Sequence, residues 1–211
     1  MKNDFFRDQI LIWYLHHRRD FEWRKTIDPY RILISEILLH KTDSKKVEKT
    51  YPRFIEKFPT VNHLYQADIE EISNLIKEIG LSYRSQRLKK IAERIVNQFG
   101  GIIPDNKKDL LSLYGVGQYI SNATLCFAFK KRVPIVDTNV IRVYERVFNI
   151  RSLKSRPYTD KKIWDFATKM LPKENYVEFN CALLDFASDL CKVKNPLCES
   201  CLIKDICEHI L

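Results

Sequence analysis

Apolar residues recur along most of the chain at intervals of three and four positions, which is the spacing of one face of an α-helix. Three such faces consist of Ile32, Leu33, Ile37 and Leu39; of Ile69, Ile72, Leu75, Ile76 and Ile79; and of Leu88, Ile91, Ile95 and Phe99. The strict alternation of apolar and polar residues that is typical of strands is hard to find. The pattern therefore predicts an all-α protein of about ten short helices.

Prolines and glycines mark the positions where these helices are expected to end. They are Pro29, Pro52, Pro59, Gly80, Gly100, Gly101, Pro104, Pro134, Pro157, Pro172 and Pro196. The sequence contains neither a low-complexity segment nor a repeat of about 20–50 residues. Because no linker divides it cleanly, a chain with two lobes would have to pass between them more than once.

The composition is basic, with 36 Lys and Arg against 27 Asp and Glu and a formal net charge of +9. This excess favours a polyanionic partner, most commonly nucleic acid, although a merely soluble basic protein has the same composition. Charges throughout Met1 to Asp20 argue against a signal peptide, and no apolar run approaches the roughly 18–20 residues of a membrane span. We therefore expect an intracellular protein, in which disulfides are rare.

Two of the five glycines flank a single valine in the stretch Gly115-Val116-Gly117. This stretch separates a helical pattern over residues 107–113 from another over residues 118–129. So short a turn favours glycine, and amides at the start of the second helix could bind a phosphate. An ordinary helix–helix turn has the same sequence, so the motif is weak on its own.

Four cysteines near the end of the chain are separated by six, two and five residues: Cys191, Cys198, Cys201 and Cys207. Thiols clustered in this way in a reducing compartment indicate a metal site rather than disulfides. Zinc and a [4Fe–4S] cluster both take four thiolates, but only one pair has the CxxC spacing of a zinc knuckle, and the wide first gap suits the larger group. Cys126 and Cys181 lie in apolar helical stretches and are expected in the core.

The glycine hairpin, the C-x6-C-x2-C-x5-C ending and the stretch VDTNVIRV at residues 136–143 occur together in this order. In this combination the chain resembles the helix–hairpin–helix DNA glycosylases of the endonuclease III and MutY superfamily, from about Phe21 to Cys207. The stretches DPYRILISEILLHKT (28–42) and EIGLSYRSQRLKKIA (78–92) look most similar to the archaeal thymine–DNA mismatch glycosylases, with MutY next.

The resemblance implies an all-α, two-lobed helix–hairpin–helix fold with a [4Fe–4S] cluster in its C-terminal loop. A six-helix lobe with the hairpin would comprise residues 22–133, and residues 1–21 and 134–211 would form a second helical lobe with the cluster. The implied partner is double-stranded DNA that contains a mismatched or damaged base. We expect a monomer with no membrane association, located in the cytoplasm of a prokaryote and associated with the nucleoid.

Asp137 matches the essential aspartate of the family. Glycosidic cleavage in DNA passes through a sugar cation, which a fixed carboxylate stabilises before water adds. Read without the family, Asp137 caps the helix that starts near Asn139, and both interpretations hold together because a carboxylate at a helix N-terminus stays ionised. Asn139 matches an asparagine of MutY and of the mismatch enzymes and could orient the water or the sugar.

Glu36 matches the glutamate that protonates adenine in MutY and an equivalent one in the mismatch glycosylases, whereas endonuclease III has no carboxylate there. On an apolar helical face it is a candidate for a raised pKa, suited to proton transfer or to positioning water, unless it pairs with a basic neighbour.

Tyr119 stands where endonuclease III-like enzymes have the lysine that forms a Schiff base. Because a phenol cannot form that imine, we expect a monofunctional glycosylase; packing in the core is the alternative for Tyr119.

A flipped base leaves a gap in the duplex that the protein must fill. Leu81 matches the family's wedge and His40 the residue that fills the gap from the other side, while Lys41 is expected to meet phosphate. The alternatives are that Leu81 is a core residue and that His40 pairs with Glu36.

The hairpin segment is expected to hold the DNA backbone through its amides, with a monovalent cation at the hairpin carbonyls. Its residues are Gly115, Val116, Gly117 and Gln118. The family usually has proline at the position of Tyr114, so we expect a less rigid hairpin here.

The leading hypothesis for the activity is removal of thymine or uracil from G·T and G·U mismatches. Adenine removal opposite 8-oxoguanine is the first alternative; it is weakened because the chain stops four residues after Cys207, without the further domain by which MutY recognises 8-oxoguanine. A DNA-binding module without catalysis is the second alternative. A bifunctional glycosylase and lyase is disfavoured by Tyr119.

Overall fold

The computed structural model of the protein describes residues 2–80 and 83–210. These residues form α-helices joined by short connections and single turns of 3₁₀ helix, and no strand occurs among them. The helices are α1 (Lys2–His17), α2 (Pro29–Leu39), α3 (Ser44–Lys57), α4 (Val61–Gln66), α5 (Ile69–Leu75), α6 (Tyr83–Phe99), α7 (Lys107–Ser112), α8 (Gln118–Phe127), α9 (Thr138–Phe148), α10 (Lys161–Met170) and α11 (Tyr176–Asp189). The predicted all-α fold class is confirmed.

Side-chain caps explain where several of the helices begin. Asp28 accepts a hydrogen bond from the backbone N–H of Arg31 at 2.9 Å. Pro29 occupies the first helical position, where the helix does not require a backbone N–H, so the lack of one in proline costs nothing. Asp137 caps α9 in the same way by accepting from Val140 N at 2.7 Å. Short polar residues placed just before apolar stripes therefore set these helix starts.

Pro52 does not end a helix, contrary to the prediction, and lies inside α3. A proline in a helix interior costs about 3 kcal/mol because it removes a hydrogen bond and crowds the preceding turn. Val47, Tyr51 and Phe54 of the same helix are at most 1% exposed, and the burial of each contributes about 1.5–3 kcal/mol. Packing of the apolar face therefore outweighs the local preference.

Helix α2 is buried on nearly all sides rather than along the single face that was predicted. Every residue from Ile32 to Leu38 is at most 4% exposed. Helices α3, α6 and α8 pack against it. The hydroxyl of Ser35 is accommodated there because it donates to the Ile32 carbonyl at 2.8 Å. Glu36 consequently lies in an interior and not at a surface.

The chain divides into two compact units, one formed by Met1–Arg19 with Arg132–Leu211 and the other by Asp20–Lys131. We call the first the cysteine unit and the second the hairpin unit. In the cysteine unit, Phe6, Ile10 and Trp13 of α1 join residues of α9, α10 and α11 in one apolar core. Arg19 ties the end of α1 to α11 through an ion pair with the fully buried Asp185.

The hairpin unit contains α2 to α8, which are seven α-helices within its described residues where six were expected. Residues 61–75 form two short helices, because Ala67 and Asp68 between them are extended. Both α4 and α5 pack against α6. No helix in the described part of the chain is long and apolar enough to cross a membrane.

Candidate functional site

Asp137 and Asn139 form a hydrogen-bonded pair at the N-terminus of α9. One carboxylate oxygen of Asp137 accepts from Val140 N, and the other accepts from Asn139 Nδ2 at 2.8 Å. Asp137 is half-buried. The helix cap that the sequence suggested is therefore present, and the same contacts hold the carboxylate in one orientation at the positive end of the helix dipole.

Arg142 extends this pair and was missed from the sequence. Its Nη1 donates to Asn139 Oδ1 at 2.9 Å, so the amide of Asn139 is fixed with its nitrogen toward Asp137. The rest of the guanidinium donates to the carbonyls of Cys191 at 2.9 Å and Ala187 at 2.6 Å. The sequence could have indicated Arg142 only through its position three residues after Asn139, which places the two on one helix face. That spacing does not show that Arg142 also binds the carbonyls of Ala187 and Cys191.

The two glycines of the hairpin differ in what they do. Gly115 has φ +72°, and a side chain there would place its Cβ 2.9 Å from Arg87 Nε. Gly117 has φ −95° and ψ −177°, which any residue adopts, and a Cβ there would meet no protein atom within 4 Å. The expectation that both glycines serve the backbone angles is thus wrong for Gly117. Its missing side chain keeps the surface open instead.

Backbone amides lie at the N-terminal end of α8, where the hairpin enters the helix. The first hydrogen bond of the helix runs from Ser121 N to the Gly117 carbonyl at 3.0 Å, so Gly117 is the N-cap. Because Gly117 has no side chain, the N-cap residue does not cover this end of the helix. These amides suit an anion such as a phosphate.

Gln118 and Tyr119 are the first two residues of α8, and both are half-buried. Helix α8 packs against both α2 and α7. Val116, in the turn, is only 5% exposed and anchors the hairpin to the core. The alternative that Tyr119 serves only packing stays open.

Glu36 lies in the middle of α2 and is 4% exposed, among apolar side chains. Helices α2 and α8 pack against each other, so the structure brings the helix of Glu36 next to the helix of Tyr119.

His40 follows α2 directly and is half-buried. Burial, and then the charges of Arg87, Lys41 and Arg84, lower the pKa of His40 below its usual value. The ring is therefore neutral near pH 7. The alternative that His40 pairs with Glu36 stays a prediction.

Lys41 is exposed and has φ 58°, a left-handed conformation that non-glycine residues rarely adopt. Such strained residues cluster at sites of function. Gly80, which directly precedes the predicted wedge residue in the sequence, also has a left-handed backbone, with φ 70°. The predicted wedge, Leu81, lies outside the described residues.

The four predicted metal ligands line one cavity in the cysteine unit, and they are Cys191, Cys198, Cys201 and Cys207. Burial, together with the neighbouring thiols, raises the pKa of Cys201 to about 11. Burial likewise raises the pKa of Cys207. Four free thiols that converge in this way need a positive group to become thiolates, and a metal cluster would supply it.

Within residues 2–80 and 83–210, no group of three or more His, Cys, Asp or Glu side chains is arranged to hold a metal ion. A single zinc ion would require all four sulfurs at about 2.3 Å from one point. A [4Fe–4S] cluster instead distributes four thiolates over four iron atoms, so its ligands surround a larger volume. The cysteine set around the cavity is compatible with that larger group.

The candidate residues thus fall into two sets, one in each unit. The cysteine unit brings Asp137 and Asn139 together, and separately the four cysteines. The hairpin unit holds the remaining described candidates, which are Glu36, His40, Lys41, Gly115, Val116, Gly117, Gln118 and Tyr119.

The helix–hairpin–helix turn and the capped aspartate that follows it in the chain were compared with families of known proteins. Residues 34–169 match the model of the HhH-GPD superfamily base excision DNA repair proteins. The chain belongs to this family.

Relatives with known names extend over nearly the whole chain. The thymine/uracil-DNA glycosylase of Pyrobaculum aerophilum is 41% identical over 207 residues, which cover 96% of this chain and 90% of the relative. The thymine/uracil-DNA glycosylase of Methanothermobacter thermautotrophicus is 39% identical, covering 99% and 94%. The adenine DNA glycosylase of Rattus norvegicus is 31% identical and covers 96% of this chain but 41% of the relative.

Solved structures agree with this placement. A thermostable thymine-DNA glycosylase superposes with a TM-score of 0.93 at 38% identity, covering 99% of this chain and 96% of the other. An endonuclease III in a non-covalent complex with DNA superposes with a TM-score of 0.85 at 23% identity, covering 99% and 96%, and shares the fold. The predicted resemblance to this superfamily is confirmed.

Proposed function

We propose that this protein is a monofunctional DNA glycosylase of base excision repair that removes thymine or uracil opposite guanine. The observation that carries the proposal is the identity of about two residues in five, over nearly the full length, with two thymine/uracil-DNA glycosylases. The similarity to an adenine DNA glycosylase is lower, at 31%. The substrate is then a duplex with a G·T or G·U mismatch.

Asp137 would stabilise the sugar cation that forms as the base departs. Its two oxygens accept hydrogen bonds from Val140 N and Asn139 Nδ2, which hold the carboxylate in one orientation. A charge that is oriented before the reaction lowers the barrier without reorganisation during it. Arg142 supports this arrangement by holding Asn139.

Glu36 and Tyr119 would determine the course of the reaction around the base and sugar. A buried carboxyl such as Glu36, at 4% exposure, can position the attacking water or deliver a proton. Tyr119 offers no amine, so no Schiff base forms with the sugar. The product is accordingly an abasic site in an intact strand.

Duplex DNA would be held by the hairpin amides and by the loop after α2. The open surface at Gly117 and the positive N-terminal end of α8 fit a phosphate, and Lys41 adds an exposed positive charge. The net charge of +9 favours the same partner. A monovalent cation would bind at the hairpin carbonyls, among which that of Gly115 also accepts a hydrogen bond from Arg87 at 2.7 Å.

Cys191, Cys198, Cys201 and Cys207 would hold a [4Fe–4S] cluster. When bound, the cluster compensates the charge of four thiolates and ties the C-terminal loop together. Arg146 supports this loop directly, since it donates to the Lys192 carbonyl at 2.7 Å and to Cys191 Sγ at 3.4 Å. Lys192, Lys194 and Lys204 give the loop a positive surface.

A single-turnover assay on labelled duplexes tests the proposal. The duplexes contain G·T, G·U, A·U, A·8-oxoguanine and A·G, and each reaction is read with and without alkali. We expect strand breaks at G·T and G·U, and only after alkali. Breaks confined to the adenine mispairs would make the protein an adenine glycosylase, and breaks without alkali would show lyase activity. If no duplex is cleaved, the protein only binds DNA or acts on another lesion.

A further inference from the structure

Two arginines of α6 are buried, and neither contacts a carboxylate among residues 2–80 and 83–210. Arg84 is 1% exposed and Arg87, one turn later, is 4% exposed. In the described part of the chain, every hydrogen bond of these two side chains goes to a backbone carbonyl or to one hydroxyl. Such a pair is unusual because buried arginines are ordinarily compensated by acidic groups.

Arg84 joins two chain segments with one guanidinium. Its Nη2 donates to the His40 carbonyl at 2.7 Å and to Thr42 Oγ1 at 2.8 Å. Its Nη1 donates to the carbonyls of Ile79 at 3.2 Å and Gly80 at 3.3 Å. The loop that carries the predicted gap-filling residue is thereby connected to the loop that leads to the predicted wedge.

Both of these segments depart from helical backbone where Arg84 contacts them. Lys41 has φ 58° and Gly80 has φ 70°, so the carbonyls beside them cannot be satisfied by a continuing helix. A buried carbonyl without a donor costs about 1–3 kcal/mol. Arg84 satisfies three of these carbonyls at once and fixes the spacing between the loops.

Arg87 supports the hairpin from beneath. Its Nη2 donates to the Gly115 carbonyl at 2.7 Å, and its Nε lies where a side chain at Gly115 would need space. The ammonium of Lys90, on the same helix, lies 4.6 Å from the ring centre of Tyr114. This hairpin lacks the usual proline at Tyr114, and contacts from α6 restrain it instead.

Burying these two arginines would cost stability without benefit if packing were their only role. Arginine stays protonated in proteins, so two positive charges are kept in a poorly solvated place, where an aliphatic residue would fill the space more cheaply. Burial lowers the pKa of both guanidinium groups. At 1% and 4% exposure neither side chain can itself bind DNA to any extent. Their effect must pass through the segments that they hold.

We propose that Arg84 and Arg87 are positioning residues that fix three DNA-contacting segments of the hairpin unit in one arrangement before DNA binds. The segments are residues 40–42, residues 79–80 and the hairpin at residues 115–117. Arg84 governs base flipping, and Arg87 governs binding of the DNA backbone. The inference rests on the proposed function in so far as these segments contact DNA.

The test compares Arg84→Met, Arg84→Lys, Arg87→Met and Arg87→Lys in the full-length protein. Lysine keeps the charge but not the two-sided donor geometry of the guanidinium. Arg132→Met is the matched control, because Arg132 also donates to backbone carbonyls, those of Leu171 and Pro172, but belongs to the cysteine unit. Thermal unfolding and circular dichroism establish the folded fraction of each variant.

Three readouts separate positioning from general stability. The first is the Kd for an undamaged duplex. The second is the fluorescence of 2-aminopurine placed beside the target thymine, measured in the Asp137→Asn background so that the substrate persists. The third is the single-turnover rate on G·T at saturating protein.

For Arg84→Met we expect a rate roughly a hundredfold lower and no fluorescence rise, with the Kd for undamaged DNA little changed, because a displaced loop misplaces the reacting groups. For Arg87→Met we expect a Kd about tenfold higher on both undamaged and G·T duplexes. Each lysine variant should follow its methionine counterpart, and Arg132→Met should match the wild type.

Thr42→Val provides a milder variant should the methionine variants unfold, because it removes the 2.8 Å bond from Arg84 and the 3.5 Å bond that Thr42 donates to the Ile79 carbonyl, and leaves the bonds of Arg84 to backbone carbonyls in place. It should reduce the fluorescence rise while leaving the Kd unchanged. Equal losses of binding and flipping in proportion to unfolded protein, or lysine variants that behave as wild type, would contradict the inference. Failure of the wild type to cleave any duplex would instead remove the proposed function. A comparison of the Kd of Arg87→Met with that of the wild type would still show whether Arg87 positions the hairpin for DNA binding.

Discussion

At the scale of single residues, Asp137 combines a helix cap with a proposed catalytic charge, and one substitution separates the two. Asparagine caps helices about as well as aspartate, so Asp137→Asn should leave the thermal midpoint nearly unchanged. It removes the charge that stabilises the sugar cation, so we expect the single-turnover rate on G·T to fall by about a thousandfold or more. The Kd for the mismatch duplex, measured in parallel, should be retained.

The matched control for this variant is Asp160→Asn, because Asp160 caps α10 through Lys162 N in the same unit. Its cleavage rate should equal that of the wild type. If Asp137→Asn cleaves G·T as fast as this control, the catalytic assignment of Asp137 is wrong.

Tyr119 allows a gain-of-function test. Tyr119→Lys places an amine at the position where endonuclease III-like enzymes have one, so we expect a protein–DNA adduct that borohydride traps, together with strand breaks before alkali. The wild type should give neither. Tyr114→Lys, an amine at an exposed position of the same hairpin, should also give no adduct. Trapping by the wild type would overturn the monofunctional assignment.

The sequence revealed some residues of the site and not others, for a physical reason. Short motifs around Asp137, Tyr119 and the cysteines were recognisable because their spacing is local. Arg84, Arg87 and Arg142 were missed because a basic residue on an amphipathic helix usually faces solvent. Their burial depends on carbonyls that distant segments supply, and local pattern contains no such information.

At the scale of elements, the two glycines of the hairpin should respond differently to alanine. Gly115→Ala introduces a Cβ at φ +72° and 2.9 Å from Arg87 Nε, so it should lower the free energy of unfolding by about 1–3 kcal/mol. Gly117→Ala adds neither strain nor a clash, and its stability should be unchanged. Because the new methyl group lies where DNA phosphate is proposed to approach, its affinity for any duplex should fall.

Chemical denaturation and DNA titration of both alanine variants check this prediction. Gly117→Ala that binds DNA as tightly as the wild type would remove the hairpin amides from the proposed DNA contact. Gly115→Ala of wild-type stability would contradict the support by Arg87.

Element boundaries were predictable only where local signals agree with packing. The apolar periodicity placed α6 correctly, Asp137 was recognised as the cap of the helix that is α9, and Asp28 marks the first turn of α2. Pro52 misled because three nearly buried side chains of α3 outweigh one lost hydrogen bond. For α2, periodicity indicated one face, but helices that are distant in sequence cover the others.

At the scale of the whole molecule, the four cysteines around one cavity predict the metal content of the purified protein. The purified protein should contain about four iron atoms per chain and the visible absorbance of a [4Fe–4S] cluster. Cys198→Ser should lose most of the iron and lower the thermal midpoint, since one of four ligands is removed. Cys181→Ala, which changes a core thiol outside the cavity, should keep the iron. A protein that contains zinc and no iron would contradict the cluster assignment.

The central claim concerns the base that this protein releases, and free base can be measured directly. In a single turnover, wild-type protein is mixed with a G·T duplex and, separately, with an A·8-oxoguanine duplex, and the released bases are quantified by chromatography. We predict that one thymine is released per G·T duplex while the strand stays intact, and that no adenine is released. Release of adenine without thymine would contradict the account and place the protein with the adenine glycosylases.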